Sequence, residues 1–148
     1  MDEAEKNRLR DILESAVTIA VVGASADSAK ASHRIPQYLQ EQGKDVIPVN
    51  PRGGSIFGRD AVTNLADVAQ TIDVVDVFRP AAEAPAIAEQ AVEVGAKVLW
   101  LQLGIVSPEA EAIASAAGLQ VVMDRCIGAT YAKLGLGPAL ERPDHDGQ

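Results

Sequence analysis

Apolar positions along this chain keep two alternating rhythms. Near the amino terminus Leu9, Ile12, Leu13 and Ala16 recur at helical spacing, which predicts an amphipathic helix with one face laid on a sheet. Short apolar runs follow: Thr18–Val22, Asp45–Val49, and residues 74–78, 97–101 and 119–123. Runs without regular polar alternation are the signature of strands buried on both faces. Helical patterns separate them. Ile35, Tyr38 and Leu39 share a face, Pro36 suits a first turn and Gly43 a stop. A shorter candidate covers residues 65–70, and Ile87, Ala91 and Val94 repeat before Gly95. Ser107, Pro108 and Glu109 read as cap, first helical residue and dipole-compatible acid, with Gly118 closing that helix. A last helix is expected from near Cys126 to near Leu134, before Gly135.

Strands alternating with helices require crossover connections, and right-handed crossovers produce a parallel sheet covered on both faces. The expected fold is therefore α/β: a doubly wound, Rossmann-like, five-stranded parallel sheet in three layers. The expected strand order is 3-2-1-4-5, with a ligand crevice at the carboxyl ends of the strands near the first strand. Residues 1–140 read as one domain, and residues 141–148 as a loose polar tail.

Composition narrows the function classes. The net charge of -8 repels a polyphosphate backbone and aromatic residues are only 3%, which together argue against nucleic-acid binding. Cys126 is the only cysteine, so no intramolecular disulfide is available, and His33 and His145 are far apart, which leaves no metal-ligand pattern. The polar amino terminus is not a secretory signal and no apolar run is long enough to span a membrane, so the expected location is the cytoplasm.

The candidate chemistry sits where the strands end. The first strand runs into Gly23, Ala24 and Ser25, whose backbone N–H groups and following helix suit a pyrophosphate. Ser25 and Ser28 stand where a dinucleotide fingerprint has its second and third glycines, so the NAD form of that motif is not met; a tight turn alone would also explain Gly23. The second strand ends in Asn50, Pro51 and Arg52, where an NAD site carries an acid for the ribose hydroxyls. A cation there favours a phosphorylated ribose, which leaves NADP and coenzyme A, while an ordinary exposed arginine in a turn is the plainer reading. The third strand leads to Phe78 and Arg79, and the fourth to Gln102 and Gly104. Arg34, Arg52, Arg59, Arg79 and Arg125 all map by pattern to that edge and suggest an anion site, some of them pairing instead with nearby acids. Cys126, beside Arg125 at a helix start, has the setting of a stabilised thiolate, although a packed, inert thiol fits the same position.

Five segments taken together resemble a known family: Val21-Val22-Gly23-Ala24-Ser25, Val46-Ile47-Pro48-Val49-Asn50-Pro51, Val75-Asp76-Val77-Phe78-Arg79, Leu99-Trp100-Leu101-Gln102-Leu103-Gly104 and Val122-Met123-Asp124-Arg125-Cys126. They are similar to the small stand-alone CoA-binding domain proteins of bacteria, themselves similar to the amino-terminal domain of the succinyl-CoA synthetase alpha subunit. The resemblance implies that Gly23 to Ser25 hold the pyrophosphate. It puts Arg52 where those enzymes place a lysine near the adenosine phosphate. It further implies that residues 77–80 flank the adenine and residues 102–105 line the pantetheine path. Ile127 departs from the proline that many relatives carry after the cysteine. The ligases bear their phosphorylated histidine in a second domain that these 148 residues do not include, so ligase activity is not implied.

The resulting expectation is a protein that binds coenzyme A or an acyl-CoA without a complete catalytic site of its own, acting as a homodimer or beside a partner enzyme. Its rivals are an NADP-dependent oxidoreductase, for which no tyrosine–lysine or histidine arrangement is evident, and a regulatory interaction subunit whose crevice stays empty. A mixed disulfide between Cys126 and the cofactor thiol is a further reading.

Overall fold

The computed structural model describes residues 1–140; the expected tail, residues 141–148, lies outside the described residues. Five parallel strands form the main sheet: β1 (Thr18–Val22), β2 (Asp45–Val49), β5 (Val74–Val77), β6 (Val98–Leu101) and β7 (Gln120–Val122). A short antiparallel hairpin, β3 (Ser55–Ile56) and β4 (Arg59–Asp60), falls between β2 and β5 and has no counterpart in the sequence reading.

Helices cover both faces. On one side α1 (Glu3–Ser15), α2 (Ala31–Glu41) and α5 (Ile127–Lys133) bury Leu9, Leu13, Leu39 and Ile127 against Ile19, Val21 and Trp100. On the other, α3 (Ala84–Glu93) and α4 (Pro108–Ala116) present mostly alanines, among them Ala88, Ala91, Ala110 and Ala114, to Ala20, Val75, Leu99 and Leu101. The three-layer α/β architecture is the one the apolar runs predict.

The strand order differs from the expectation. The sheet runs β2-β1-β5-β6-β7, so the five runs lie in the order 2-1-3-4-5 rather than 3-2-1-4-5. The cause is at the outer edge of β2. Pro48 has no N–H to give there, and its carbonyl together with the Asn50 N–H is taken by Val62, at 2.9 Å each. That edge is closed to another full strand, so the third run pairs with β1 on the other side, Ile19 opposite Val74.

Two smaller corrections have local causes. The 65–70 segment is a single 3-10 turn, Leu65–Asp67, started by the Asn64 side chain accepting from the Ala66 N–H. Helix α2 begins at Ala31, so Pro36 lies in its interior, where it removes one intrahelical donor. The carbonyl four residues back, Ser32, instead accepts the Ser25 N–H at 3.2 Å and so ties the loop after β1 to the helix. The Ser107 cap and the start of α5 after Cys126 are as expected.

Lys44 links three elements. Its Nζ donates to the Leu13 and Ala16 carbonyls at 2.7 and 2.6 Å, closing the carboxyl end of α1, and stands 5.8 Å from the centre of the Tyr131 ring. Burial lowers its pKa, while Asp73 and Glu14 oppose that shift. Lys44→Met is expected to destabilise the fold by about 2 kcal/mol, the scale of hydrogen bonds from a charged donor. Urea denaturation checks this, and an unchanged midpoint would contradict it.

Candidate functional site

The order 2-1-3-4-5 puts the topological switch point between β1 and β5, where crossovers leave in opposite directions and a crevice opens at the carboxyl ends. Gly23 sits at that point with φ +91°. A Cβ there would lie 2.7 Å from the Phe78 carbonyl oxygen and 2.9 Å from Arg79 Cδ, so only glycine lets the two strand ends approach this closely.

The loop after β1 is held largely by its own bonds. The Gly23 N–H donates to the Val49 carbonyl at 3.0 Å and the Ser25 N–H to Ser32, while Ser25 Oγ accepts from the Asp27 N–H at 3.0 Å. Ala24 is fully buried. His33 lies on α2 beside this loop. Its Nδ1 is 2.7 Å from the Ser25 carbonyl, and its ring is 5.1 Å from that of Phe57. Phe57 itself holds φ +56° in the turn between β3 and β4.

Asn50 joins the first and second strand ends. Its Nδ2 donates to the Ala24 carbonyl at 2.9 Å and its Oδ1 accepts from the Arg52 N–H at 2.9 Å, which fixes the start of the Pro51-Arg52 turn. The Arg52 residue is exposed. Two of the five arginines grouped by pattern belong elsewhere. Arg59 pairs with Asp45 and the Val46 carbonyl at the amino end of β2. Arg125 turns towards α1, with Nη2 3.9 Å from Glu5 Oε2. Strand assignment alone could not reveal these directions.

Beside Gly23 the edge opens into a cleft of about 870 Å³. Of the residues singled out from sequence, Arg34, Phe78, Arg79, Gln102 and Cys126 line it; Gly23, Ala24, Ser25, Asn50, Pro51, Arg52 and Gly104 do not. Gly104 lies just beyond, its N–H donated to Asp124 Oδ1 at 2.7 Å across the ends of β6 and β7. Arg79 forms a two-point pair with Glu83, at 3.0 and 2.7 Å, which raises its pKa. Arg34 donates from Nη1 to the Ala29 carbonyl. Cys126 is the N-cap of α5, its Sγ accepting from the Ala129 N–H at 3.4 Å.

A buried polar chain underlies the cleft. Asp76, fully buried in β5, accepts from Gln102 Nε2 through Oδ1, and Gln102 Oε1 accepts the Ile127 N–H at 3.3 Å. Asp76 Oδ2 has no hydrogen-bond partner among the described residues. Burial pushes the Asp76 carboxyl up to about 7, against a smaller lowering by the Gln102 bond. An acid inside the apolar run Val74-Val75-Asp76-Val77 was the visible signal for this residue. Lys133, Ile35, Ala129 and Ala132 also reach the cleft, brought there by the packing of α2 on α5, which periodicity did not disclose. Among the described residues no three His, Cys, Asp or Glu side chains group as a metal site, and no helix is long and apolar enough to cross a membrane.

Comparison with known proteins bears on this geometry. Residues 17–132 match the family described as CoA binding domain. The protein YneT of Bacillus subtilis is 36% identical over 132 residues, covering 89% of this chain and 98% of its own. A solved Thermus thermophilus structure, cell-free ID.343, superposes with a TM-score of 0.84 at 40% identity, over 90% of this chain and 99% of that one. The ADP-forming acetate–CoA ligase of Methanocaldococcus jannaschii is 28% identical over 80 residues, 54% of this chain but only 11% of the ligase. With the family match running over most of its length and the two small relatives covered almost completely, the chain belongs to the CoA-binding domain family.

Proposed function

We propose that this protein binds coenzyme A at the carboxyl edge of its sheet and has no complete catalytic apparatus of its own. The observation that carries this reading is the family match over residues 17–132, joined to a cleft at the switch point where this fold class binds nucleotides. On this reading the pyrophosphate lies by Gly23, Ala24 and Ser25, and the adenosine phosphate by Asn50, Pro51 and Arg52. Phe78 and Arg79 flank the adenine. The pantetheine arm passes Gln102 and Gly104 into the cleft that holds Arg34 and Cys126. The cytoplasm is the compartment that fits, and a homodimer or a partner enzyme is the assembly to look for.

Arg52→Ala tests the phosphate assignment. Charge-assisted contacts to phosphate contribute about 1.5–3 kcal/mol. The variant should therefore lose roughly ten- to hundredfold in affinity for coenzyme A, and far less for 3′-dephospho-coenzyme A. Calorimetry showing equal losses for both ligands would take Arg52 out of the site.

A further inference from the structure

One lobe of the cleft offers more apolar wall than a pantetheine arm uses. Near the ends of β5 and β6 the lining includes Arg79 and Gln102; towards α2 and α5 the apolar wall is Ile35, Ala129, Ala132, Ala139 and Leu140, with Ser32, Arg34 and Lys133 on the same helices also lining the cleft. Packing builds this lobe. A Cβ on Gly128 would lie 3.0 Å from Ile35 Cγ2 and 3.1 Å from Leu140 Cδ1, so α5 rests closely on both residues. Tyr38 donates its hydroxyl to the Pro138 carbonyl at 2.7 Å and brings the segment carrying Ala139 and Leu140 against the helices. The volume of about 870 Å³ is near the top of the range of ~300–1,000 Å³ for sites that bury a whole drug-sized ligand. On the reading above the adenine takes the Phe78 and Arg79 wall and the pantetheine end the wall by Gln102, which leaves the side towards α2 and α5 over.

Gln102 stands at the border of the two regions. Its Oε1 is taken by the Ile127 N–H and one Nε2 hydrogen by Asp76, which leaves the second Nε2 hydrogen without an acceptor among the described residues. A donor between a polar path and an apolar lobe suits a carbonyl with hydrocarbon beyond it. A thioester has that carbonyl and a free thiol does not.

We infer that the site takes an acyl thioester of coenzyme A, with the thioester carbonyl on Gln102 and the acyl chain between α2 and α5; this rests on the coenzyme A reading above. The test is calorimetric titration of the full chain with coenzyme A and its acetyl, butanoyl and hexanoyl thioesters, together with S-butyl-coenzyme A, which keeps the chain and lacks the carbonyl. Affinity should rise from coenzyme A to the hexanoyl thioester, by up to about fourfold for each methylene buried. The butanoyl thioester should bind about tenfold more tightly than the thioether. Ala129 is exposed and lines the cleft, so Ala129→Phe should flatten the chain-length gradient without lowering the melting temperature. Coenzyme A binding as tightly as its hexanoyl thioester, or a gradient that persists in Ala129→Phe, would overturn the acyl lobe. Equal affinity for thioester and thioether would overturn the role of Gln102. Failure of every ligand to bind would instead overturn the coenzyme A reading itself.

Discussion

Asp76→Asn is expected to stabilise the protein by up to about 4 kcal/mol at pH 8 and to leave it nearly unchanged at pH 4. The wild-type carboxyl is fully buried, with one oxygen bonded to Gln102 and the other without a partner among the described residues. Its pKa rises from an ordinary 3.8 to about 7, chiefly through burial. Between those values the folded chain holds a proton that the unfolded chain has released. The stability this contributes is therefore complete below about pH 4 and is lost as pH rises through about 7. Asparagine keeps an acceptor for Gln102 Nε2 and cannot ionise. Urea denaturation of both proteins from pH 4 to 8 should give curves that diverge with pH, and parallel curves would contradict the assignment.

The second large effect is expected at Gly23. Its φ of +91° already disfavours a side chain, and an added Cβ would press on the Phe78 carbonyl, a backbone atom that cannot swing away. Gly23→Ala should cost about 3 kcal/mol or more and abolish ligand binding, because it forces apart the two strand ends that form the switch point. Gly43→Ala provides the comparison. Gly43 has φ +95°, but a Cβ there meets nothing within 4 Å among the described residues, so only the conformational cost of about 1–2 kcal/mol applies. Thermal denaturation of both variants checks the difference; equal losses would show that contact with Phe78 carries no weight.

What could be read from the chain, and what could not, follows from the range of each interaction. Buried strands announce themselves through runs such as Thr18–Val22 because both faces are covered, and Ser107 announces a helix start because its hydroxyl caps a nearby N–H. These are local facts. The strand order is not local, and it depended on whether the edge of β2 was free. Pro48 carried that information, since a proline inside an apolar run marks an edge strand, while the expected order placed this run between two others.

The site divides in the same way. The strand ends brought Phe78, Arg79, Gln102 and Cys126 to one cleft because strand pairing dictates where their backbones emerge. Arginine directions were not legible, because a long flexible side chain takes its partner from neighbouring elements: Asp45 for Arg59 and Glu5 for Arg125. The lobe formed by Ile35, Ala129 and Leu140 depends on how α2 meets α5, a packing relation between residues about a hundred positions apart in sequence.

On the proposed function, a coenzyme bearing a 3′-phosphate occupies the edge of this sheet. Calorimetric titration of the full chain with coenzyme A, and separately with NADPH, decides this. A saturable heat with coenzyme A at one site per chain is expected, and none with NADPH. No heat from coenzyme A at millimolar concentration, or saturable binding of NADPH in its place, would contradict it.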